Sequence, residues 1–235
     1  MAPPAWSQSF NIDVGPFGTD PPSSYAAAGL GGVWNSVRAD HIAPFTSGPT
    51  PQDIMLVDVD GNQTSVGFHQ FGGIDLVSAS DPSVTGNDAM LMNDYLATHS
   101  LTVGSCMYLN GLANGTYEIL TYAWMPNSPS TKQRVWFDFV PGDAFVGGTW
   151  TGAHAEGVTY SRTIIDVTDG HIGFHVEIPS GGSTFPGAAF NGLQVRKVAP
   201  VPTLSMSGLI MLVATLAAIG ATRLGRESMR TRSDS

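Results

Sequence analysis

The sequence has 235 residues, of which 28 are glycine, 16 are proline and only 12% are charged. So many helix breakers and so few charged helix formers exclude a helical bundle and favour a turn-rich β domain followed by a tail. The formal net charge is −9, although four of the ten basic residues lie at the C-terminal end: Arg223, Arg226, Arg230 and Arg232. The rest of the chain is acidic and offers no basic surface, which excludes nucleic acid as a partner.

The first nine residues, 1–9, are predicted to be a disordered start or the remnant of a leader. They contain no charged n-region and no apolar h-region, so they do not form a complete signal peptide. The tripeptide Ala5-Trp6-Ser7 has the small-x-small form of a signal-peptidase site. This form suggests the hypothesis that Met1 is an internal start and that a leader is encoded upstream.

Residues 10–198 show the alternation of apolar and polar residues that is typical of β-strands. In QSFNIDVG, for example, Phe10, Ile12 and Val14 fall on one face. Turns containing glycine are predicted at Asp60-Gly61-Asn62, Asn114-Gly115 and Asp169-Gly170. About eight or nine strands at roughly ten-residue spacing predict an all-β domain, an antiparallel two-sheet sandwich or jelly roll.

One helix is predicted within this body, in the segment NDAMLMNDYLATHS. Its apolar residues fall on one helical face, and Asn87 or Asp88 is a suitable N-cap. The residues that define this face are Met90, Leu91, Tyr95 and Leu96.

The side chains that could catalyse a reaction or bind a metal lack the necessary spacing. Cys106 is the single cysteine and lies in a predicted strand, where a buried, inert thiol is expected. His171 and His175 share a strand face but lie ~13 Å apart at about 3.3 Å per residue, so we expect surface histidines that do not share a metal. Asp58 and Asp60 favour a hairpin turn, because the spacing and the final glutamate of an EF-hand are missing. We therefore predict no catalytic residue, no located metal site and no enzymatic activity.

Six segments of the body resemble the galactose-binding-like or malectin-like sandwich domains of exported bacterial proteins: FNIDVG, SYAAAGLGGVWNSV, LVDVDGNQTSVGF, GLANGTYEILTYAW, GVTYSRTIIDVTDGHIGFHVEI and AAFNGLQV. The resemblance covers nearly all of residues 10–198 and implies a galactose-binding-like sandwich. Such domains include glycan binders, appended modules of enzymes and proteins without a known ligand. They can also hold a structural calcium ion, which the resemblance does not locate in this chain.

Sugar binding requires aromatic platforms beside amide or carboxylate groups. Trp34 with Asn35, Trp124 and Trp150 lie beside loops or glycine-rich turns and are our candidates for binding a polysaccharide. Core packing is the alternative interpretation of each tryptophan, and Trp136, within RVWFDFV, is predicted to pack in the core.

The tail contains an uncharged segment from Ser207 to Thr222. A helix over this segment would span ~24 Å at about 1.5 Å per residue, slightly less than the roughly 30 Å hydrocarbon core. We predict a marginal transmembrane helix at 207–222, in contact with membrane lipid. Arg223 and Arg226 would form the basic stop that keeps 223–235 in the cytoplasm, leaving the body outside. A buried core helix is the alternative, but such a helix normally keeps a polar face.

A proline-containing hinge at 199–206 precedes this segment. Together with the apolar segment and the basic end, its motif resembles the IPTL-type relative of the PEP-CTERM sorting signal: Val201, Pro202, Thr203, Leu204 and Ser205. The family commonly has an acidic residue and a tryptophan where this chain has Met206 and Ser207. The resemblance implies that an exosortase-type transpeptidase cleaves the tag and passes the body to the cell surface.

Together these features predict an exported, non-catalytic bacterial protein of the cell surface or extracellular matrix that binds a glycan. Two alternatives stay open. The body could be a secreted polysaccharide-active hydrolase, or the binding module of one. The chain could also be an envelope protein with a single membrane span that is never cleaved.

Overall fold

The computed structural model describes residues 8–15, 19–37, 54–71, 74–98, 105–179 and 187–198. The chain separates into two units, 1–198 and 199–235, and every described residue belongs to the first. The predicted sorting motif, membrane helix and basic tail therefore lie outside the described residues. No helix in the described part is both long enough and apolar enough to cross a membrane.

The described residues form fourteen strands and one short helix. In chain order these are β1 (Phe10–Val14), β2 (Trp34–Val37), β3 (Ile54–Val57), β4 (Gln63–Phe71), β5 (Ile74–Ser78), α1 (Gly86–Met92), β6 (Asp94–Thr98), β7 (Ser105–Asn110), β8 (Gly115–Tyr122), β9 (Gln133–Phe137), β10 (Ala144–Val146), β11 (Tyr160–Val167), β12 (His171–Glu177), β13 (Ala189–Phe190) and β14 (Gly192–Lys197). The mostly β composition confirms the all-β class of the body.

The strands form two large sheets and a small one. The five-stranded sheet has the order β11-β8-β14-β1-β2, and the six-stranded sheet has the order β10-β9-β12-β7-β4-β3. A three-stranded sheet, β13-β6-β5, was not expected from the sequence. The pairs are antiparallel except for β1 and β2, which run parallel with Asn11 opposite Trp34. This exception corrects the expectation of a purely antiparallel sandwich.

The main core lies between the two large sheets, as a sandwich requires. The five-stranded sheet contributes buried residues such as Ile12 and Ile119, while the six-stranded sheet contributes Phe68, Leu109 and Phe174. These side chains alternate along their strands with residues on the outer faces, in agreement with the period of two in the sequence.

The three predicted turns are present, but only one of them joins paired strands. Gly61 has φ +90° in the hairpin between β3 and β4. Asp58 Oδ1 accepts hydrogen bonds from the Asp60 and Asn62 amides at 3.0 and 2.8 Å, which confirms the hairpin interpretation of these residues. The turns at Asn114-Gly115 and Asp169-Gly170 instead carry the chain from one large sheet to the other.

The predicted helix is confirmed only in its first half. Helix α1 ends at Met92, and Tyr95 and Leu96 lie in β6, where they pair with Val77 and Leu76 of β5. Thr85 occupies the N-cap without a side-chain cap bond, whereas Asn87 or Asp88 was expected there. The β-forming run Tyr-Leu-Ala-Thr can pair with β5, and this pairing outweighs the helical pattern.

Candidate functional site

The structure brings the three predicted sugar-binding tryptophans together, but inside the protein. Trp34, Trp124 and Trp150 are 6%, 0% and 9% exposed and share one hydrophobic cluster. The Trp124 and Trp150 ring centroids are 6.4 Å apart. None of these rings has an open face for a sugar, so their burial corresponds to the core-packing alternative.

Asn35, the amide predicted to assist Trp34, holds strands together. Its Nδ2 donates to Asn11 O at 2.9 Å and to Val57 O at 2.8 Å, and its Oδ1 accepts from the Val57 amide at 2.7 Å. The side chain thus joins β1 to β3, which belong to different large sheets. These bonds give Asn35 a structural role.

A polar group lies at the edge of the tryptophan cluster. Tyr25 donates its hydroxyl hydrogen to Asp88 Oδ1 at 2.6 Å and lies 2.7 Å from His154 Nε2. His154 Nε2 is also 3.2 Å from Asp88 Oδ1, and its side chain is 6% exposed. Burial raises the pKa of Tyr25 and lowers the pKa of His154, although Asp88 opposes the shift of the histidine. Neutral His154 and neutral Tyr25 are therefore the favoured forms in the folded protein.

The lowered pKa of His154 predicts a pH-dependent stability. The ordinary pKa of histidine is about 6.5. At a pH between this value and the lower pKa of His154 in the folded protein, the unfolded chain binds more protons than the folded chain. The free energy of unfolding should therefore fall as the pH is lowered from 7.5 through this window. Urea unfolding at successive pH values measures this fall, and the variant His154→Gln should show a smaller one. An unchanged pH dependence in the variant would contradict the assignment.

The outer face of the six-stranded sheet carries a second group of aromatic and polar residues. Side chains alternate between the two faces of a strand. The residues next to the core residues of β7, β9 and β12 therefore face outward. Pairing then aligns these neighbours in rows. We call this set the sheet-face cluster, and its members are His69, Cys106, Tyr108, Asn110, Trp136, Asp138, His171, Gly173 and His175.

Tyr108 lies at the centre of the sheet-face cluster. Gly173 is its partner on β12, and a Cβ atom built on Gly173 would lie 3.1 Å from Tyr108 Cε1 and would overlap Asp138 Oδ2. The missing side chain therefore lets the Tyr108 ring and the Asp138 carboxylate lie over the sheet. The Tyr108 ring also stacks on His171, with centroids 5.1 Å apart. The result is a half-buried aromatic platform bordered by polar groups.

His175 joins this platform to Trp136. Their rings stack with centroids 3.6 Å apart and an interplanar angle of 3°. His175 Nε2 contacts Asp138 Oδ1 at 2.9 Å, and the Asp138 side chain is 27% exposed. Trp136 is thus half-buried on the outer face, which corrects the prediction that it packs in the core. On the same strand His171 Nδ1 contacts Asn110 Oδ1 at 2.8 Å, and both histidines share one face as predicted.

Cys106, His175 and Asp138 together resemble a nucleophilic triad in composition, but their geometry differs from one. Cys106 Sγ lies 3.6 Å from His175 Nε2, the same nitrogen that contacts Asp138. A triad needs the two contacts on opposite nitrogens of the imidazole. Burial also raises the pKa of Cys106, and its thiol donates to Tyr108 Oη at 2.8 Å. The arrangement does not generate the thiolate that nucleophilic catalysis uses.

A cleft of about 440 Å³ opens beside the sheet-face cluster. The cleft and the sheet-face cluster share three residues: Asp138, His171 and Gly173. The remaining wall includes Ile164 and the fully exposed Phe139, which has φ +61°. The aromatic platform around Tyr108 and the cleft therefore form one continuous surface, which carries carboxylate, imidazole and apolar groups.

No family model matches the chain, and no curated protein matches it. Among solved structures, protein YxiM of Bacillus subtilis has a TM-score of 0.46 and 17% identity, covering 83% of this chain and 42% of that chain. The plant complex of RALF23 with FER and LLG2 has a TM-score of 0.41 and 14% identity, covering 85% of this chain and 43% of that chain. A family 35 carbohydrate-binding module from Clostridium thermocellum has a TM-score of 0.32 and 14% identity, covering 57% of this chain and all of that module. The chain thus spans less than half the length of the first two structures.

Proposed function

We propose that residues 10–198 form a non-catalytic glycan-binding domain that uses the sheet-face cluster. The observation that carries this proposal is the Tyr108 ring lying over Gly173, with Asp138 and His171 beside it. A flat aromatic ring binds the apolar face of a sugar ring, and adjacent carboxylate, amide and imidazole groups bind its hydroxyls. The sheet-face cluster supplies all of these groups on one accessible surface.

Charge and shape favour an extended neutral polysaccharide as the ligand. The sheet-face cluster crosses four adjacent strands, which lie about 4.8 Å apart, and then continues into the cleft at Asp138. A ligand along this path would contact Tyr108 on the sheet and Phe139 in the cleft. The cleft contains Asp138, Asp166 and Asp169, and among the described residues of its wall there is no lysine or arginine, which disfavours an acidic glycan.

The test is binding of the purified full chain to a panel of insoluble and soluble polysaccharides, followed by titration calorimetry with the best ligand. The variants Tyr108→Ala and Asp138→Ala should each weaken binding at least tenfold, equivalent to about 1.4 kcal/mol. Arg196→Ala is the matched control, because Arg196 lies on the outer face of the other large sheet and pairs with Glu118.

Two outcomes would overturn the proposal. Wild-type affinity in both sheet-face variants would show that binding occurs elsewhere. Release of reducing sugars from the bound polysaccharide, lost in a single acidic-residue variant, would instead establish the alternative of a hydrolase. Circular dichroism of each variant confirms that it is folded before its affinity is compared.

We also propose that the chain is exported and sorted to the cell surface by its C-terminal segment. The support is the sequence pattern from Val201 to Arg226, with its proline motif, uncharged segment and basic end. Intact mass spectrometry of surface material tests this proposal. Loss of the arginine-rich tail would support exosortase-type processing, whereas a retained tail would show an uncleaved envelope protein.

A further inference from the structure

Phe139 is a fully exposed aromatic residue with a strained backbone. It is the third residue of a turn after β9, which the Val140 amide closes by donating to Phe137 O at 3.3 Å. Its φ of +61° lies in the left-handed region, where a Cβ atom makes a bulky side chain unfavourable. The exposed ring gains no hydrophobic stabilisation in compensation. The backbone conformation and the exposed ring of Phe139 therefore do not stabilise the fold.

Other positions with positive φ provide an internal comparison. Among the described residues they are glycines, apart from Ala27 and Phe139. Gly142, three residues after Phe139 in the same connection between β9 and β10, has φ +100°. Glycine is also the usual residue at the third position of a turn that requires positive φ. A large aromatic residue in this position is therefore explained better by a function of its ring than by the fold.

The turn that carries Phe139 is anchored to β12. The Asp138 amide donates to Gly173 O at 2.9 Å, and Asp138 Oδ1 lies 2.9 Å from His175 Nε2. Residue 138 thus continues the row in which Gly173 pairs with Tyr108. These contacts fix the residue that precedes Phe139. An aromatic ring on a fixed backbone loses little conformational entropy when it binds a ligand.

The surroundings of Phe139 suit a sugar unit. Phe139 lines the cleft of about 440 Å³ together with apolar residues such as Pro141 and Ile164, and the same cleft contains the carboxylates of Asp166 and Asp169. Ile164 is 54% exposed, so the apolar side of the cleft is open to solvent. A sugar ring has an apolar face and hydroxyl groups around its edge. The cleft offers aromatic and aliphatic groups for the face and carboxylates for the hydroxyls.

Tyr108 and the turn of Phe139 are two strand spacings apart. Tyr108 lies on β7, which pairs with one side of β12, and Asp138 bonds to the other side of β12. At about 4.8 Å per spacing, the two backbone positions are ~10 Å apart. One sugar ring is narrower than this separation, whereas consecutive sugars of one chain can cover it. We propose that Phe139 is a second aromatic platform, which makes the site selective for a glycan chain over a single sugar. This inference rests on the proposed glycan-binding function.

The test measures how the affinity of the full chain depends on the length of the sugar chain. The probes are the monosaccharide, trisaccharide and hexasaccharide fragments of the polysaccharide that binds best in the panel, and calorimetry measures their binding. The wild type should bind the hexasaccharide about tenfold more tightly than the monosaccharide, and Phe139→Gly should lose most of this difference. Tyr108→Ala should weaken the binding of every fragment. Phe139→Tyr keeps an aromatic ring and should retain the wild-type dependence. Ala27→Gly changes a residue with positive φ outside the cleft and should retain it too.

Thermal unfolding without sugar supplies a second readout. Phe139→Gly should raise the unfolding temperature by ~2 °C, because glycine adopts positive φ without strain and the exposed ring contributes no packing. A lower unfolding temperature would show that the ring stabilises the fold and would overturn the inference, and so would an unchanged dependence on chain length in Phe139→Gly. If Tyr108→Ala loses binding in that case, the proposed function stands and only the inference fails. If no polysaccharide in the panel binds to the wild type, both fail.

Discussion

Replacing Trp124 by alanine is expected to lower the free energy of unfolding by about 3–5 kcal/mol. The side chain is fully buried, and its Nε1 donates to Gly148 O at 2.8 Å. The substitution removes the packing of the indole, leaves a cavity and leaves a carbonyl without its donor. Urea unfolding followed by circular dichroism measures the loss, with the slope against denaturant expected to stay close to the wild-type value.

Trp136→Ala is the matched control for this experiment. Trp136 is half-buried on the outer face and stacks on His175, so its removal should lower stability by only about 1 kcal/mol. The two variants therefore separate a core tryptophan from one on the proposed ligand surface. If Trp124→Ala were as stable as the wild type but unable to bind a polysaccharide, the assignment of these two residues would be reversed.

Asn191→Ala is expected to lower the free energy of unfolding by at least about 3 kcal/mol. Asn191 is fully buried, and its Nδ2 donates to Met92 O and Asp94 O, both at 3.1 Å. Its Oδ1 accepts from the Trp124 amide at 2.7 Å. Alanine would leave three backbone groups without partners, and each costs about 1–3 kcal/mol when it stays buried.

Asn114→Ala is the control for Asn191, because Asn114 lies in an exposed turn and should change stability by less than about 0.5 kcal/mol. Denaturant unfolding of both variants provides the comparison. A loss below about 1 kcal/mol in Asn191→Ala would show that water or a backbone shift restores the lost bonds. Because Asn191 and Trp124 share a hydrogen bond, the effects of their substitutions should not add.

The sequence predicted the β-sandwich body because period-two alternation reports directly on burial. In β9, Val135 and Phe137 point inward, and the same signal placed Phe10, Ile12 and Val14 in the core. The glycine turns were also predicted correctly. Gly61 and Gly170 have φ angles of +90° and +78°, which glycine adopts more readily than other residues. These features depend on residues close together in the chain, which a sequence displays.

The sheet-face cluster could not be assembled in this way. Alternation shows that Trp136, His175 and Tyr108 point away from the core, but not that β9, β12 and β7 are neighbours. That information resides in the strand order, because the chain enters the other large sheet at β8 between β7 and β9, and again at β11 between β10 and β12. Trp34, Trp124 and Trp150 were chosen instead because they lie near glycine-rich loops in the sequence. The spacing of residues did not predict that the surrounding loops bury these side chains.

Strand β14 (Gly192–Lys197) occupies the middle of the five-stranded sheet although it is the last strand of the described body. Its neighbours are β8 and β1, so a chain still emerging from the ribosome possesses two halves of this sheet that cannot yet meet. The body can reach its native state only after residue 197 has been synthesised. A premature stop before Gly192 should accordingly give a product that proteases degrade, even though more than four-fifths of the sequence is present.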